Sequence, residues 1–267
     1  MTIAVAYLTS EGVVFGADST TTVGTQRGGV GQLLNYAQKL FEVGENSRFG
    51  ICTWGAGKIE DVSHRTLIAR LGDELDLEKA KVSDVTDAFK NIVAKEYGDG
   101  KKTKKVGYLV GGWNPGTHLP ECYHILFDVN NQPKCNPMNI GEAIFFGCPE
   151  FSIRVFRGFD SKLPQRLFNE LKKRKITVEE GKFEDVFNEA FHKAVAPLAS
   201  IGFSDLPIRE AIDFVHTYLH ITIKAFKFRT GPPICGGPIE IAFISTDRKF
   251  RWVCHKSFER AIYEQEV

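Results

Sequence analysis

Apolar residues in this chain keep one period through a whole block and then switch to the other, and that block order limits the folds open to it. Alternation with a period of two runs through residues 2–7 and 12–17, joined around "TSEG", and returns in "KLFEVG" and "FGICTWGAG". Helical spacing takes over in "GKIEDVSHRTLIARLGDELDLEKA" and in "VSDVTDAFKNIVAKEYG", the second with Ser83 as expected N-cap and Gly98 as its stop. Strands resume in "KVGYLVGGW", "ECYHILFDV" and "EAIFFGCP", read as an antiparallel meander with turns at "NPG" and "NNQP". "SIRVFRGF", "LPQRLFNELKKRK", "KFEDVFNEAFHKAVAPLAS" and "IREAIDFVHTYLHITIKAFKF" read as helices. "PIEIAFIST" and "KFRWVCHK" close the chain as a hairpin around "DR".

Strands, two helices, strands, helices, strands: runs of one type separated by runs of the other point to an α+β fold. Antiparallel sheets with helices on their outer faces fit this order, and alternating βαβ units do not. With 267 residues, 43% of them hydrophobic, the chain is long enough for one large domain spanning 1–267. The "RGGVGQ" stretch reads as a flexible loop inside it.

Charge and cysteine usage narrow the function classes. Lys and Arg number 34 against 33 Asp and Glu, a formal net charge of +1, so there is no basic field to recruit nucleic acid. Six cysteines (Cys52, Cys122, Cys135, Cys148, Cys235 and Cys254) stand singly, without a C-x-x-C pair, as reduced thiols of a cytosolic protein do. The start lacks a basic n-region and an A-x-A-like site, and no apolar stretch approaches a membrane span. A cytoplasmic location with no membrane partner is expected.

The chemistry is concentrated at the start. Initiator methionine is trimmed when the next residue is small, so the mature chain is expected to begin at Thr2 with a free α-amine. Such an amine titrates at about 7.7 to 8.0, so a useful fraction is neutral near pH 7 and can take the hydroxyl proton. Nucleophile and base then share one residue. Asp18 follows the second strand in "FGADSTTT", Lys39 opens the third in "KLFEVG", and Gly57 closes "TWGAG" ahead of a helix.

These stretches resemble the proteasome β-subunit branch of the N-terminal nucleophile hydrolases, including the related bacterial ring proteases. That family begins T-T-[IV]-[AV]-[GV], continues "DG-VV-A-AD-RAT", then has "KI--I" and "AG--AD". Here Thr2-Ile3-Ala4-Val5-Ala6 is followed by "EGVVFGADSTTT", "KLFEV" and "GAGKIED", with the interval from Thr2 to Asp18 matched without a gap. The match covers about the first quarter of the chain, and "CGGPIEIAFI" resembles the family's late "SGG-V-V-VI".

The resemblance implies a four-layer αββα sandwich, no metal or organic cofactor, and a threonine peptidase or amidohydrolase working through an acyl-enzyme. It assigns Thr2 as nucleophile, Lys39 as the charge beside it, Asp18 as the partner of Lys39, and the Gly57 N–H as oxyanion donor. Thr22 would bind an extended peptide through its main chain, with Thr21 and Gly55 near the side-chain pocket. It also implies a peptide or protein substrate, a homo-oligomeric ring, and a possible ATPase partner.

Three positions depart from the pattern. Cys148 and Cys235 stand where the family has serines, and Pro232 where it has an aspartate, all groups that orient the free amine and its water there. Two alternatives therefore stay open: a catalytically silent ring or scaffold subunit, and an amidase acting on a small amide. Other motifs read as structure. "HTYLH" puts His216 and His220 on one helical face but lacks the glutamate of H-E-x-x-H, "GGWNPGTHLP" has no lysine at P-loop spacing, and there is no G-x-S-x-G elbow.

Overall fold

The computed structural model describes residues 2–24, 30–97, 105–128, 131–147, 151, 154–155, 158–160, 162–194, 206–231 and 234–256. The expectations placed on Met1, Gly98, Cys148 and Pro232 lie outside them. The chain divides into two compact units, residues 1–148 with 203–267, and residues 149–202.

The first unit holds two five-stranded antiparallel sheets. Sheet I has the order β10-β1-β2-β11-β12, formed by β1 (Ala4–Thr9), β2 (Gly12–Ala17), β10 (Ala143–Phe146), β11 (Glu240–Ser245) and β12 (Arg251–Cys254). Sheet II runs β5-β6-β7-β8-β9, from β5 (Leu40–Glu42), β6 (Phe49–Gly55), β7 (Val106–Trp113), β8 (Pro120–Asp128) and β9 (Asn131–Pro137). A separate ribbon pairs β3 (Thr21–Gly24) with β4 (Val30–Leu34). The helices among its described residues are α1 (His64–Glu74), α2 (Val82–Tyr97) and α5 (Ile208–Phe228). The architecture is mixed α+β.

Every residue of β1 and β2 is buried, so both faces of sheet I are covered at its centre. On one face Tyr7 meets Phe214 edge-on and Phe145 stacks on Tyr218, both from α5. On the other, Ala4, Ala6, Leu8 and Phe15 share a core with Leu40, Cys52, Leu109 and Cys122 of sheet II or its edge. The opposite side of sheet II, through Ile51, Tyr108 and Val110, packs on Leu67, Leu71, Phe89 and Val93 of α1 and α2. Burial of this order supplies the main drive for folding, about 25 cal/mol for each Å² of apolar surface removed from water.

Several sequence expectations change. The first strand begins at Ala4, not Thr2, and the 131–133 part of "NNQP" lies in a strand rather than in a turn. Asn131–Pro137 continues as edge strand β9, where Pro133 and Pro137 cost little because one side of an edge strand lacks a partner. β10 then leaves sheet II and pairs with β1 (Ala4 opposite Phe146). Part of "RGGVGQ" is strand β4 rather than loop. Helix α1 starts at His64, after a bridge between Ile59 and Val62, with Ser63 capping Thr66 N–H. Ser83 lies inside α2; its first turn is served instead by Asp84, which accepts from Lys81 N–H, and by Asn114, which accepts from Val82 N–H.

In the second unit, α3 (Leu163–Lys173) and α4 (Glu180–Ala194) are described, with Phe168 buried against Phe183 at 5.5 Å between ring centres.

Candidate active site

The strand pair β1–β2 brings the start of the chain to Asp18. Asp18 N–H donates to Ile3 O at 3.2 Å, extending the ladder, and Ile3 N–H donates back to Asp18 Oδ1 at 2.8 Å. Thr2, one residue ahead and buried, is thereby held beside the aspartate. Gly147, just past β10, has φ of +95°, and a Cβ built there would fall 1.2 Å from Thr2 O. Only glycine lets the two backbones approach this closely.

Asp18 is completely buried and uses all its acceptor capacity. Oδ1 accepts from Ile3 N–H and from Lys39 Nζ at 2.5 Å; Oδ2 accepts from Thr20 N–H at 3.3 Å and Gly236 N–H at 3.0 Å. A carboxylate so paired tolerates burial that would otherwise be costly. Lys39 Nζ also donates to Thr20 O at 2.6 Å. An ammonium has three donors, and Asp18 and Thr20 engage two of them.

A pocket of about 90 Å³ opens over this pair, lined by Thr2, Thr21, Thr22, Lys39 and the segment Thr53–Gly57, with His64 at its side. Six of the seven sequence-selected residues (Thr2, Thr21, Thr22, Lys39, Gly55 and Gly57) therefore share one cavity, and the seventh, Asp18, lies behind Lys39. Gly55 has φ of +94° and its Cβ would meet Lys105 O at 2.4 Å. Gly57 is different: the nearest protein atom to a Cβ there is Thr21 Cγ2 at 4.0 Å, so the room beside it belongs to the cavity rather than to packing. Thr22 Oγ1 donates to Ile234 O at 3.5 Å, and β3 is joined to the ribbon strand β4 with Thr22 opposite Leu33.

Sequence reasoning missed several groups around this centre. Glu240, fully buried in β11 opposite Ala17, forms an ion pair with Lys256 Nζ at 2.7 Å and lies 2.8 Å from His255 Nδ1. Lys256 also donates to Ser19 Oγ at 3.1 Å and Ala37 O at 3.0 Å. Burial lowers the Lys256 ammonium below its ordinary range, with Glu240 partly opposing. The available signal was a carboxylate set between Ile239 and Ile241 in an otherwise apolar strand. His64 was missed too; it bonds Ala56 O at 2.8 Å and Tyr108 Oη at 3.0 Å, and burial holds it below the usual histidine range.

Cys52 and Cys122 lie in the inter-sheet core, where burial pushes both thiols well above their ordinary range and leaves them inert. Cys235 is buried immediately before Gly236, whose N–H reaches Asp18. His216 and His220 stack at 5.9 Å, and among the described residues no three His, Cys, Asp or Glu are grouped to hold a metal ion. No described helix is long and apolar enough to cross a membrane.

No protein-family profile matches the chain, and no curated protein matches it in sequence. Among solved structures it is similar to a mutant of Anbu from Hyphomicrobium sp. strain MC1, a bacterial proteasome-like N-terminal nucleophile hydrolase homologue. The TM-score is 0.54 at 13% identity, over 100% of this chain and 93% of that one. At that identity the likeness is one of fold.

Proposed function

We propose that the chain is a threonine-type peptidase or amidohydrolase of the proteasome-like kind, in which removal of Met1 frees the α-amine of Thr2. The observation that carries this reading is the buried Asp18–Lys39 pair opening into a pocket that Thr2 and the Gly55–Gly57 segment also line. The fold likeness to Anbu supports it at the level of architecture. The packing of α5 on sheet I, of sheet I on sheet II, and of sheet II on α1 and α2 supports a four-layer αββα sandwich.

In this reading the neutral α-amine of Thr2 accepts the Oγ proton, directly or through one water, as Oγ attacks the carbonyl carbon of a peptide or amide. Lys39 contributes positive charge where the hydroxyl loses its proton, and Asp18 holds that charge in a buried place. The Gly57 N–H receives the negative charge that develops on the carbonyl oxygen. The amine leaves with a proton, an ester to Thr2 remains, and water then cleaves it. Thr21, Thr22 and Gly55 flank the substrate, with β3 offering main-chain groups to an extended peptide. No metal or organic cofactor enters. A single-domain subunit of a cytoplasmic homo-oligomeric ring, with an ATPase as a possible feeder of unfolded chains, completes the proposal.

Intact mass of the purified protein, before and after an epoxyketone and with Thr2→Ala alongside, tests it. A chain beginning at Thr2 that gains one adduct, absent in the variant, is the expected result. Retained Met1 with no adduct overturns it in favour of a silent ring subunit. The observation favouring that second reading is Cys235, buried next to Gly236 at the place where the family's pattern has serine.

A further inference from the structure

The Gly57 N–H cannot act as an oxyanion donor unless its peptide plane is held, and the local sequence works against that. Glycines stand at 55 and 57 on either side of Ala56, so little side-chain hindrance opposes a flip of the peptide between Ala56 and Gly57. Ala56 N–H is tied to Lys105 O at 3.1 Å, which fixes the preceding peptide only. The carbonyl of the plane in question, Ala56 O, meets His64 Nε2 at 2.8 Å.

A carbonyl has no proton to give, so Nε2 carries the hydrogen and donates. Nδ1 is then the bare nitrogen, and it accepts from the Tyr108 hydroxyl at 3.0 Å. Both ends of this relay sit on rigid elements. His64 is the first residue of α1, behind the Ser63 cap, and Tyr108 is fully buried in the middle of β7, edge-on to both His64 and Phe89. Burial disfavours the imidazolium and keeps the ring in the neutral tautomer that this pattern requires.

We infer that His64, locked by Tyr108, is a positioning residue that aims and polarises the Gly57 N–H by holding the carbonyl of the same peptide. In a trans peptide the C=O and N–H point in opposite directions, so a bond that fixes one fixes the other. A hydrogen bond accepted at the oxygen also draws charge from the nitrogen and strengthens its N–H as a donor. His64 acts through Ala56 and does not need to touch substrate. This inference rests on the threonine-nucleophile reading and adds to it a device that readies the oxyanion site before substrate arrives.

The test compares His64→Phe, His64→Gln and Tyr108→Phe with the unaltered protein, using hydrolysis of a fluorogenic peptide amide and NMR of 15N-labelled protein. Removing an oxyanion donor outright costs about 10²- to 10³-fold in kcat; releasing its plane is expected to cost about 10- to 100-fold, with KM little changed. His64→Gln, whose amide N–H can reach a carbonyl, recovers much of that loss, whereas a packing role gives no such rescue. NMR shows the Nε2–H tautomer in the unaltered protein and a shifted Gly57 amide in His64→Phe. Should His64→Phe fail to fold, Tyr108→Phe, which removes one oxygen, carries the test: kcat falls several-fold and the tautomers mix. An unaltered kcat in a folded His64→Phe, a Gln variant as impaired as the Phe variant, or an Nδ1–H tautomer overturns the inference alone. Absence of both adduct and hydrolysis in the unaltered protein overturns the threonine-nucleophile reading, and this inference with it.

Discussion

Lys39 Nζ stands 2.5 Å from Asp18 Oδ1, with the aspartate wholly buried and the lysine nearly so. Removing one member of such a pair leaves an uncompensated buried charge, at a cost of about 3–5 kcal/mol. Lys39→Ala and Asp18→Ala are each expected to lower the unfolding free energy by about that amount in urea titrations. Lys39→Met combined with Asp18→Leu removes both charges and is expected to be less destabilised than the two single losses added together. If Lys39 serves Thr2, none of these variants forms the epoxyketone adduct, the better folded double variant included.

The glycines of the pocket separate folding from turnover. Gly55→Ala places a Cβ 2.4 Å from Lys105 O at a φ of +94°, so it strains the backbone and clashes. A loss of about 1–3 kcal/mol is expected. Gly57→Ala meets nothing of the protein nearer than 4.0 Å, so its thermal midpoint is expected to stay close to that of the unaltered chain. Its methyl group projects toward Thr21 in the pocket that Thr2 also lines, and peptide hydrolysis falls. A Gly57→Ala protein that is stable and fully active would remove Gly57 from the site.

Local pattern carried the element order well because most strands and helices bury a face whose spacing the sequence displays. Helix α5 was legible from end to end, Ile208–Phe228, even through the β-branched "ITI" near its close. Pattern failed where the structural cause is a distant partner. β9 is a polar edge strand whose pairing with β8 no alternation announces, and β10 reads like its predecessors yet belongs to the other sheet. At the site, Thr2, Asp18, Lys39 and Gly57 could be selected because their spacing repeats a known pattern near the start of the chain. Tyr108 meets His64 from 44 positions away, Lys256 meets Ser19 from 237, and Glu240 lies opposite Ala17 across the sheet; only the fold brings them there.

Two histidines make folding sensitive to mild acid. Burial lowers His64, and it pushes His124, stacked on Phe146 at 4.3 Å, down to about 4, with Lys105 adding to the effect. Unfolded histidines take up protons near pH 6.5. Between that value and the depressed folded values the unfolded chain binds more protons, so stability falls as pH is lowered through this window. The urea midpoint is expected to drop between about pH 6.5 and pH 5, above the range where most carboxylates titrate. His124→Phe should flatten that slope; a midpoint constant across the window in the unaltered protein would show that these rings do not stay neutral.

A second ion pair, between buried Glu240 and half-buried Lys256, ties three parts of the chain to the site. Lys256 Nζ reaches Glu240 in β11, Ser19 Oγ next to Asp18, and Ala37 O two residues before Lys39. Ala37 N–H in turn donates to Ser19 O at 2.9 Å, and Ser19 N–H to Gly236 O at 3.0 Å. The ammonium thus braces both approaches to the Asp18–Lys39 pair. Lys256→Met removes the ammonium that faces the buried Glu240 carboxylate, so a loss of about 3 kcal/mol is expected. Hydrogen exchange at the Ser19 and Ala37 amides should accelerate more than exchange in α2, which packs on the far side of sheet II. Lys256→Arg keeps the charge but replaces a compact ammonium with a planar fork, and is expected to restore only part of the protection. Equal acceleration everywhere would mean that Lys256 contributes to global stability without bracing the site.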